Sequence, residues 1–205
     1  MERRLAAIFA ADVVGFSRLI SADEAGTLAA LKAIRTELIE GAIAEHQGRI
    51  VKLTGDGMLV EFASVVSAVA CAVAVQREIR QRNGVSQREP RIQFRIGINL
   101  GDVIVEGDDI FGDGVNVAAR LESIAPPGGI AVSQTVRDHV GNRLDLTFAD
   151  CGEQQLKNIE KPVRIYEVYL EESKRTPMPP EKSDKPAIAV LPFTNMSGDP
   201  EQEYF

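Results

Sequence analysis

The 205-residue sequence contains no tryptophan, and aromatic residues make up only 5% of it. Its core must therefore be filled by aliphatic side chains, and the 44% hydrophobic content is sufficient for one well-buried core. Cys71 and Cys151 are the only cysteines, and His46 and His139 are the only histidines. Two isolated thiols form neither a disulfide framework nor a zinc site. We expect Cys71, which lies in an apolar helical run, to be a buried free thiol.

The chain also lacks an excess of basic residues and a long apolar run. It has 23 Lys and Arg against 30 Asp and Glu, and the resulting formal charge of −7 disfavours binding to nucleic acid. No run of about 18 apolar residues is present, so no membrane segment is predicted. The amino terminus begins basic and then apolar, but Asp12 interrupts the run and no small-residue cleavage site follows. These features predict a soluble, cytoplasmic protein.

The hydrophobic pattern predicts an α+β fold. Residues 5–14 are typical of a buried strand, and 22–46 have apolar positions at helical spacing with Gly48 as a stop. Asp-Gly between two apolar runs predicts a hairpin with Asp56 at its tip. The remaining predictions are a helix at 64–82, strands within 92–106 around a bend at Gly101-Asp102, a helix at 115–125 and short strands within 130–170. This order predicts a ferredoxin-like (split βαβ) antiparallel sheet with helices packed on one face.

The composition changes after this domain. Residues 171–185 are charged and rich in proline, which is typical of a linker. Residues 187–192 resemble a new buried strand, which cannot bury both of its faces alone. We therefore predict a first domain at 1–170, a linker at 171–185 and the truncated start of a second domain at 186–205.

Two aspartates are candidate metal ligands, although each has an ordinary alternative role. Asp12 closes an apolar strand, where an aspartate often faces water or caps a following helix. Asp56 sits at a hairpin tip, where Asp-Gly is common turn chemistry. In a split βαβ sheet the first strand lies beside the hairpin, so the two carboxylates can converge on hard divalent cations. The loop Gly15-Phe16-Ser17 offers backbone N–H groups near a helix start, which suits a phosphate.

Three further residues are candidates for nucleotide contacts. Lys52 precedes Asp56 by four residues on its strand, and the alternative is an edge lysine that reaches solvent. Asn116 and Arg120 are four residues apart on one helix face, and the alternative is a solvated face. Their neighbours are largely apolar, so a polar stripe on this helix calls for partners. Arginine there can donate several hydrogen bonds to phosphoryl oxygens.

The motifs together carry a resemblance to a known family. KLTGDG, AADVVGFS and DDIFGDGVNVAARLE, in this order and spacing, closely resemble the class III nucleotide cyclases, which include most adenylate and guanylate cyclases. The resemblance covers about residues 4–170. The tail KPAIAVLPFTNMSGDPEQEYF resembles the start of the TolB-like domains that often follow bacterial cyclase domains.

The resemblance implies a role for each matching residue. Asp12, Asp56 and the main-chain carbonyl of Val13 would hold two Mg²⁺ or Mn²⁺ ions. Lys52 and Asp109 would read the adenine edge, Asn116 would orient the ribose, and Arg120 would stabilise charge on the α-phosphate. Arg95 and Lys157 match positions that contact the triphosphate. The implied activity is conversion of ATP to cyclic AMP and pyrophosphate in sites shared by a homodimer.

Two residues depart from the family pattern. Ser17 replaces the commoner threonine and keeps the hydroxyl, while Asn99 stands where many members have histidine. Guanylate cyclase is the nearest alternative activity, but GTP-specific members usually carry glutamate and a small residue or cysteine where this chain has Lys52 and Asp109. The diguanylate cyclase hairpin motif is missing. A non-catalytic nucleotide-sensing module is the other alternative, and it should have lost a metal aspartate or Arg120.

Overall fold

The structure is a computed structural model that describes residues 2–85 and 91–170. The strands are β1 (Glu2–Val13), β2 (Gly48–Thr54), β3 (Gly57–Phe62), β4 (Phe94–Glu106), β5 (Asp109–Phe111), β6 (Ile130–Ser133), β7 (Phe148–Gln154) and β8 (Val163–Val168). The helices are α1 (Phe16–Ala22), α2 (Glu24–Ile34), α3 (Glu40–Glu45), α4 (Val65–Val85), α5 (Asp113–Ile124) and α6 (Gln134–Val140). A π-helical turn, Arg35–Ile39, joins α2 to α3.

One eight-stranded sheet organises the chain. Its order is β2-β3-β1-β4-β6-β8-β7, and β5 pairs with β4 as a short hairpin. The long antiparallel ladder between β1 and β4 runs from Glu2↔Val105 to Val13↔Phe94 and forms the centre of the sheet. The β2–β3 hairpin lies on the other side of β1, with Ala11 opposite Met58. The first strand therefore lies between the hairpin tip and β4, as the split βαβ prediction requires.

Alternate residues of β1 pack on opposite faces of the sheet, and both faces are covered. Ala7, Phe9, Ala11 and Val13 belong to the larger core, which they form with α2, α3, α4 and α6. Ala6, Ile8 and Ala10 pack instead with Ala118 of α5. Burial on both faces explains why the strand is continuously apolar rather than alternating.

The α+β class and the helices packed on the sheet are confirmed, with differences in detail. The expectation that helices cover one face was incomplete, because α5 packs on the face opposite the other helices. One strand pair, β4 with β6, is parallel. Residues 92–106 do not bend into two strands at Gly101, since β4 runs unbroken through it. A Cβ at Gly101 would lie 3.0 Å from the Cα of Gly114, so the glycine permits close packing of α5.

The described residues account for only part of the predicted organisation. Chain contacts divide the sequence into a unit Met1–Ser173 and a unit Lys174–Phe205. The predicted linker at 171–185 and second domain at 186–205 lie outside the described residues and stay predictions. No helix within residues 2–85 and 91–170 combines the length and apolar character needed to cross a bilayer.

Candidate active site

The two candidate metal aspartates converge at one edge of the sheet. Asp12 is the penultimate residue of β1, and Asp56 occupies the two-residue turn between β2 and β3. Gly55 in that turn has φ 58°, which favours glycine, and its carbonyl accepts a hydrogen bond from Arg35 Nη2 at 3.1 Å. Arg35 belongs to the π-helical turn, an irregularity frequently found at functional sites. The helical layer therefore holds the hairpin tip.

Arg95 lies beside Asp12 and is held from three sides. It is opposite Asp12 in the β1–β4 ladder, and its Nη2 lies 2.8 Å from Asp12 Oδ2. Its Nη1 donates to the carbonyl of Ser123 at 3.1 Å, and its Nε lies 3.5 Å from Glu122 Oε1. Ser123 and Glu122 lie near the end of α5, so Arg95 connects this helix to the aspartate.

Electrostatics reflect the crowding of carboxylates here. Burial raises the pKa of Asp56, and a hydrogen bond with Asp12 raises it further. Burial also raises the pKa of Glu122 to about 7, with added repulsion from Asp12 and Asp56 that Arg95 partly offsets. Carboxylates gathered in this way favour a neutralising cation.

The predicted phosphate loop lies directly after Asp12. Gly15 precedes α1 and adopts the left-handed conformation with φ 65°. Phe16 and Ser17 form the first turn of this seven-residue helix; Phe16 packs partly against the larger core and Ser17 is exposed. Phe16 and Ser17 thus belong to the helix and only Gly15 to the connection before it, and their contact with phosphate stays a prediction.

The predicted base-reading residues form a second group. Lys52 Nζ lies 3.0 Å from Asp109 Oδ2, and the two side chains are 53% and 31% exposed. The hydrogen bond from Lys52, together with one from the backbone of Ile110, lowers the pKa of the Asp109 carboxyl. Lys52 comes from β2 and Asp109 from β5, so tertiary structure brings together two residues 57 positions apart. A cationic donor and an anionic acceptor are presented side by side.

Helix α5 carries the remaining candidates. Asn116 is exposed and Arg120 is half-buried one turn later. Arg120 Nε donates to the carbonyl of Lys157 at 3.1 Å, which fixes the guanidinium while Lys157 itself is exposed. Among residues 2–85 and 91–170, the Asn116 amide and the terminal nitrogens of Arg120 have no hydrogen-bond partner. These groups are available to a ligand.

The position of α5 is determined by close packing on β4. A Cβ at Gly97 would lie 2.1 Å from the backbone nitrogen of Glu122, so only glycine permits this approach. Asn99, which replaces the histidine common in the resembled family, is buried and donates from Nδ2 to the carbonyl of Gly114 at 3.1 Å. Asn99 thus has a structural contact at the start of the helix that carries Asn116 and Arg120.

The structure brings the predicted residues into separate groups within one chain. Asp12, Asp56 and Arg95 form one group, Lys52 and Asp109 form another, and Arg120 contacts Lys157. Over the described parts of the chain, no ion pair or side-chain hydrogen bond connects the metal group to Lys52, Asp109, Asn116 or Arg120.

The sequence reasoning missed four charged residues that support these groups. Arg35 and Arg49 donate to the backbone carbonyls just before Asp56 and Asp109, Glu61 pairs with Arg49, and Glu122 lies beside Arg95. Only Glu122 left a usable signal, because it is a charged residue in a largely apolar helix one turn from Ala118. Arg49 donates to the carbonyl of Asp108 and pairs with Glu61, contacts that depend on strand register. No local sequence pattern reports them.

The residues present fit divalent cations. No cluster of three or more His, Cys, Asp or Glu suited to a metal occurs in the described part of the chain. Mg²⁺ is nevertheless held by one or two carboxylates together with waters and substrate phosphates, and Asp12 and Asp56 supply two carboxylates of this kind. Asp12 lies close enough to Asp56 to raise the pKa of the Asp56 carboxyl.

Comparison with known proteins agrees with this geometry. Residues 3–170 match the family described as "Adenylate and Guanylate cyclase catalytic domain". The chain belongs to this family. It is 50% identical over 211 residues to a Rhizobium meliloti protein named "Putative adenylate cyclase 3", covering all of this chain and 36% of the relative. It is 33% identical to a Streptomyces coelicolor adenylate cyclase over 132 residues, covering 64% of this chain and 33% of that protein.

Solved cyclase structures share the fold. An adenylate/guanylate cyclase/hydrolase from Silicibacter pomeroyi superposes with a TM-score of 0.77 at 49% identity, covering 81% of this chain and 96% of that one. The adenylyl cyclase CyaB from P. aeruginosa superposes with a TM-score of 0.71 at 26% identity, covering 82% of this chain and 96% of that one. The guanylyl cyclase Cya2 gives 0.70 at 27% identity, with 82% and 92% covered. The chain spans about a third of the length of the Rhizobium meliloti and Streptomyces coelicolor relatives. Both adenylyl and guanylyl cyclases occur among the structural neighbours.

Proposed function

We propose that this cyclase domain is an adenylate cyclase that converts ATP to 3′,5′-cyclic AMP and pyrophosphate in active sites shared between two copies of the chain. The observation that carries the choice of ATP is the Lys52–Asp109 pair at 3.0 Å. Adenine presents a ring nitrogen acceptor and an exocyclic amine donor, which match a lysine donor and an aspartate acceptor. Guanine has a carbonyl in place of that amine and would leave Asp109 facing an acceptor.

The relatives support the same choice. The Rhizobium meliloti relative at 50% identity and the Streptomyces coelicolor relative both carry an adenylate cyclase name. The solved adenylyl cyclase CyaB and guanylyl cyclase Cya2 are equally distant, at 26% and 27% identity, so the support comes from the two curated relatives.

The separation of the residue groups supports a shared site. One chain contains the metal group and the nucleotide group, yet within the described residues no ion pair or side-chain hydrogen bond joins Asp12 or Asp56 to Lys52, Asp109, Asn116 or Arg120. A second copy related by a two-fold axis would place the Lys52, Asp109, Asn116 and Arg120 of one chain against the Asp12 and Asp56 of the other, which yields two equivalent sites. Leu53 and Phe111 flank the nucleotide group in sequence and are 44% and 46% exposed, as expected for a surface that a partner covers.

The reaction follows from the residue roles. Asp12, Asp56 and the Val13 carbonyl would hold two divalent cations, which supply charge neutralisation on the triphosphate and favour ionisation of the ribose 3′-hydroxyl. Lys52 and Asp109 orient the base, and Asn116 orients the ribose so that its 3′-oxygen is in line with the α-phosphorus. Attack forms the 3′-oxygen–phosphorus bond and breaks the bond from the α-phosphorus to the oxygen that bridges to the β-phosphate. Pyrophosphate leaves, and the 3′-hydroxyl proton goes to water. Arg120 donates to the α-phosphate oxygens as their charge develops, while Arg95 and Lys157 bind the leaving phosphates.

The direct test is cyclic nucleotide production from ATP and from GTP with Mg²⁺ or Mn²⁺ over a range of protein concentrations. We expect cyclic AMP, with a specific activity that rises as the chain dimerises. Cyclic GMP as the main product would identify a guanylate cyclase. No product from a folded dimer that binds ATP would identify a nucleotide-sensing module.

A further inference from the structure

The β4–β5 hairpin that carries Asp109 is attached to strand β2 by two side chains. Lys52 Nζ lies 3.0 Å from Asp109 Oδ2. Arg49 Nη1 donates to the carbonyl of Asp108, the preceding residue, also at 3.0 Å. Arg49 therefore holds the backbone immediately before the carboxylate that is proposed to read adenine.

An irregularity in β2 directs both side chains to the same hairpin. Residues three apart on a regular strand point to opposite faces. In β2, Arg49 is opposite Glu61, Ile50 is opposite Val60 and Lys52 is opposite Leu59, which leaves Val51 as an extra residue. A β-bulge of this kind re-aims the side chains that follow it. The bulge is why Arg49 and Lys52 contact the same hairpin.

A buried carboxylate fixes the other end of the Arg49 side chain. Arg49 Nη2 lies 2.8 Å from Glu61 Oε2, and the Glu61 side chain is only 5% exposed. The two terminal nitrogens of one planar guanidinium thus bind Glu61 and Asp108 at the same time. A lysine ammonium lacks this rigid fork and cannot reproduce both bonds in the same geometry.

We propose that Arg49 is a positioning residue for base recognition. Anchored on Glu61, it holds the β4–β5 hairpin so that the Asp109 carboxylate stays within hydrogen-bonding distance of Lys52. This inference rests on the proposed function, because it assigns Arg49 a role in selecting ATP over GTP. Arg49 does not itself contact the base. Its effect is on where the Asp109 carboxylate lies when a nucleotide binds.

Arg49 could affect activity simply by neutralising the buried Glu61 carboxylate, and Arg4 provides a matched control for that alternative. Arg4 Nη2 lies 2.7 Å from Glu61 Oε1, and the side chains of Arg4 and Arg49 are both 43% exposed. Within the described residues, the Arg4 side chain makes no hydrogen bond to Asp108 or Asp109. Replacing Arg4 removes one ion pair from Glu61 and leaves the hairpin contact intact.

The experiment compares the wild-type 205-residue chain with Arg49→Gln, Arg49→Lys and Arg4→Gln. Steady-state kcat and KM are measured for ATP and GTP, and equilibrium binding is measured for 3′-deoxy-ATP and 3′-deoxy-GTP, which lack the attacking hydroxyl. Circular dichroism and thermal midpoints establish that each variant is folded. If Arg49→Gln fails to fold, Arg49→Lys keeps the charge beside Glu61 and decides the question.

We expect Arg49→Gln and Arg49→Lys to lower the ATP-over-GTP ratio of kcat/KM about ten-fold, chiefly through KM for ATP, and Arg4→Gln to change it less than about two-fold. The binding ratio of the two deoxy analogues should change in parallel. The inference is overturned if Arg4→Gln and Arg49→Gln lower the ratio equally, or if neither Arg49 variant lowers it.

The same measurements distinguish failure of the Arg49 inference from failure of the proposed adenylate cyclase activity. Wild type that forms cyclic AMP while all variants keep its ratio overturns the role of Arg49 alone. Wild type that binds 3′-deoxy-ATP selectively but forms no cyclic AMP overturns the proposed activity, and the binding ratios still decide the role of Arg49. Wild type with no preference for the adenine analogue overturns both.

Discussion

Arg95 and Asp12 face each other across the β1–β4 ladder, with Arg95 Nη2 2.8 Å from Asp12 Oδ2. The same guanidinium contacts Glu122 and the carbonyl of Ser123 near the end of α5. The helix that carries Asn116 and Arg120 is therefore connected through Arg95 to the strand that carries Asp12. In the proposed dimer these residues serve different active sites, so α5 links the two sites within each chain.

Glu122 should make stability depend on pH. Burial raises its pKa to about 7 from an ordinary 4.5, so the folded chain binds this proton more tightly than the unfolded chain. Stability from this group is fully present below pH 4.5 and is lost as pH rises towards 7. As pH rises from 4.5 to 7, we expect the free energy of unfolding of Glu122→Gln to increase by on the order of 2 kcal/mol relative to that of wild type. Urea unfolding in the presence of a chelator at several pH values measures the difference.

The control for this prediction is Glu78→Gln, which removes an exposed carboxylate from α4. Its stability should follow the wild-type profile at each pH. A Glu122→Gln variant whose profile is parallel to wild type from pH 4.5 to pH 7 would contradict the burial and crowding described for Glu122.

Arg120 should affect turnover far more than stability. Its one described hydrogen bond, from Nε to the Lys157 carbonyl, leaves the terminal nitrogens for phosphate. We expect Arg120→Ala to lower kcat on the order of 10³-fold, the scale of a transition-state arginine in phosphoryl transfer. Arg77→Ala is the matched control, because Arg77 Nε donates to the Leu170 carbonyl at the same 3.1 Å. Equal activity in the two variants, or a much larger thermal destabilisation by Arg120→Ala, would contradict this role.

The Lys52–Asp109 pair should determine whether the enzyme prefers adenine or guanine. Replacing both residues, Lys52→Glu with Asp109→Cys, supplies an acceptor for the guanine ring N–H and removes the acceptor that faces the guanine carbonyl. We expect the ATP-over-GTP ratio of kcat/KM to fall by about 100-fold or more, because each mismatched buried hydrogen bond costs discrimination. Breaking the exposed Arg82–Glu37 ion pair, with Nη1 2.9 Å from Oε2, is the control and should leave the ratio unchanged. An unchanged ratio in the Lys52/Asp109 double variant would refute base reading by this pair.

The two thiols should differ sharply in reactivity. Cys71 is buried in α4, and burial raises its pKa to about 12, so its reactive thiolate is scarce in the folded protein. Cys151 is exposed on β7. We expect Ellman's reagent at pH 8 to label one thiol per native chain rapidly and both in denaturant, with Cys151→Ser abolishing the rapid phase. Rapid labelling of Cys71 in the native Cys151→Ser chain would contradict the packing of α4 on the sheet.

Local sequence patterns predict much of this fold. The Asp-Gly hairpin, the buried first strand and the helix of Asn116 and Arg120 all form where the pattern indicates, because each depends on neighbouring residues. The three-residue strand β5 and the short helix α6 were missed, since so few residues give no clear periodicity. The predicted bend at Gly101 was wrong because that glycine is required by α5 packing, a contact distant in sequence.

The site shows the same division. Asp12 and Asp56 could be predicted to meet, because strand order alone places the first strand beside the hairpin. The support from Arg49 and Glu61 could not, because it depends on a bulge that shifts register between Ile50 and Lys52. Such contacts become visible only when register and helix position are known.

The central claim, adenylate cyclase activity in sites shared between two chains, is tested most directly by mixing two disabled variants. Asp12→Asn removes a metal carboxylate, and Arg120→Ala removes the phosphate-binding arginine. Each variant alone should form almost no cyclic AMP. An equimolar mixture that exchanges subunits should recover about one quarter of wild-type activity, because half of the dimers are mixed and each has one intact site. A mixture that forms mixed dimers but remains as inactive as its components would contradict the shared site.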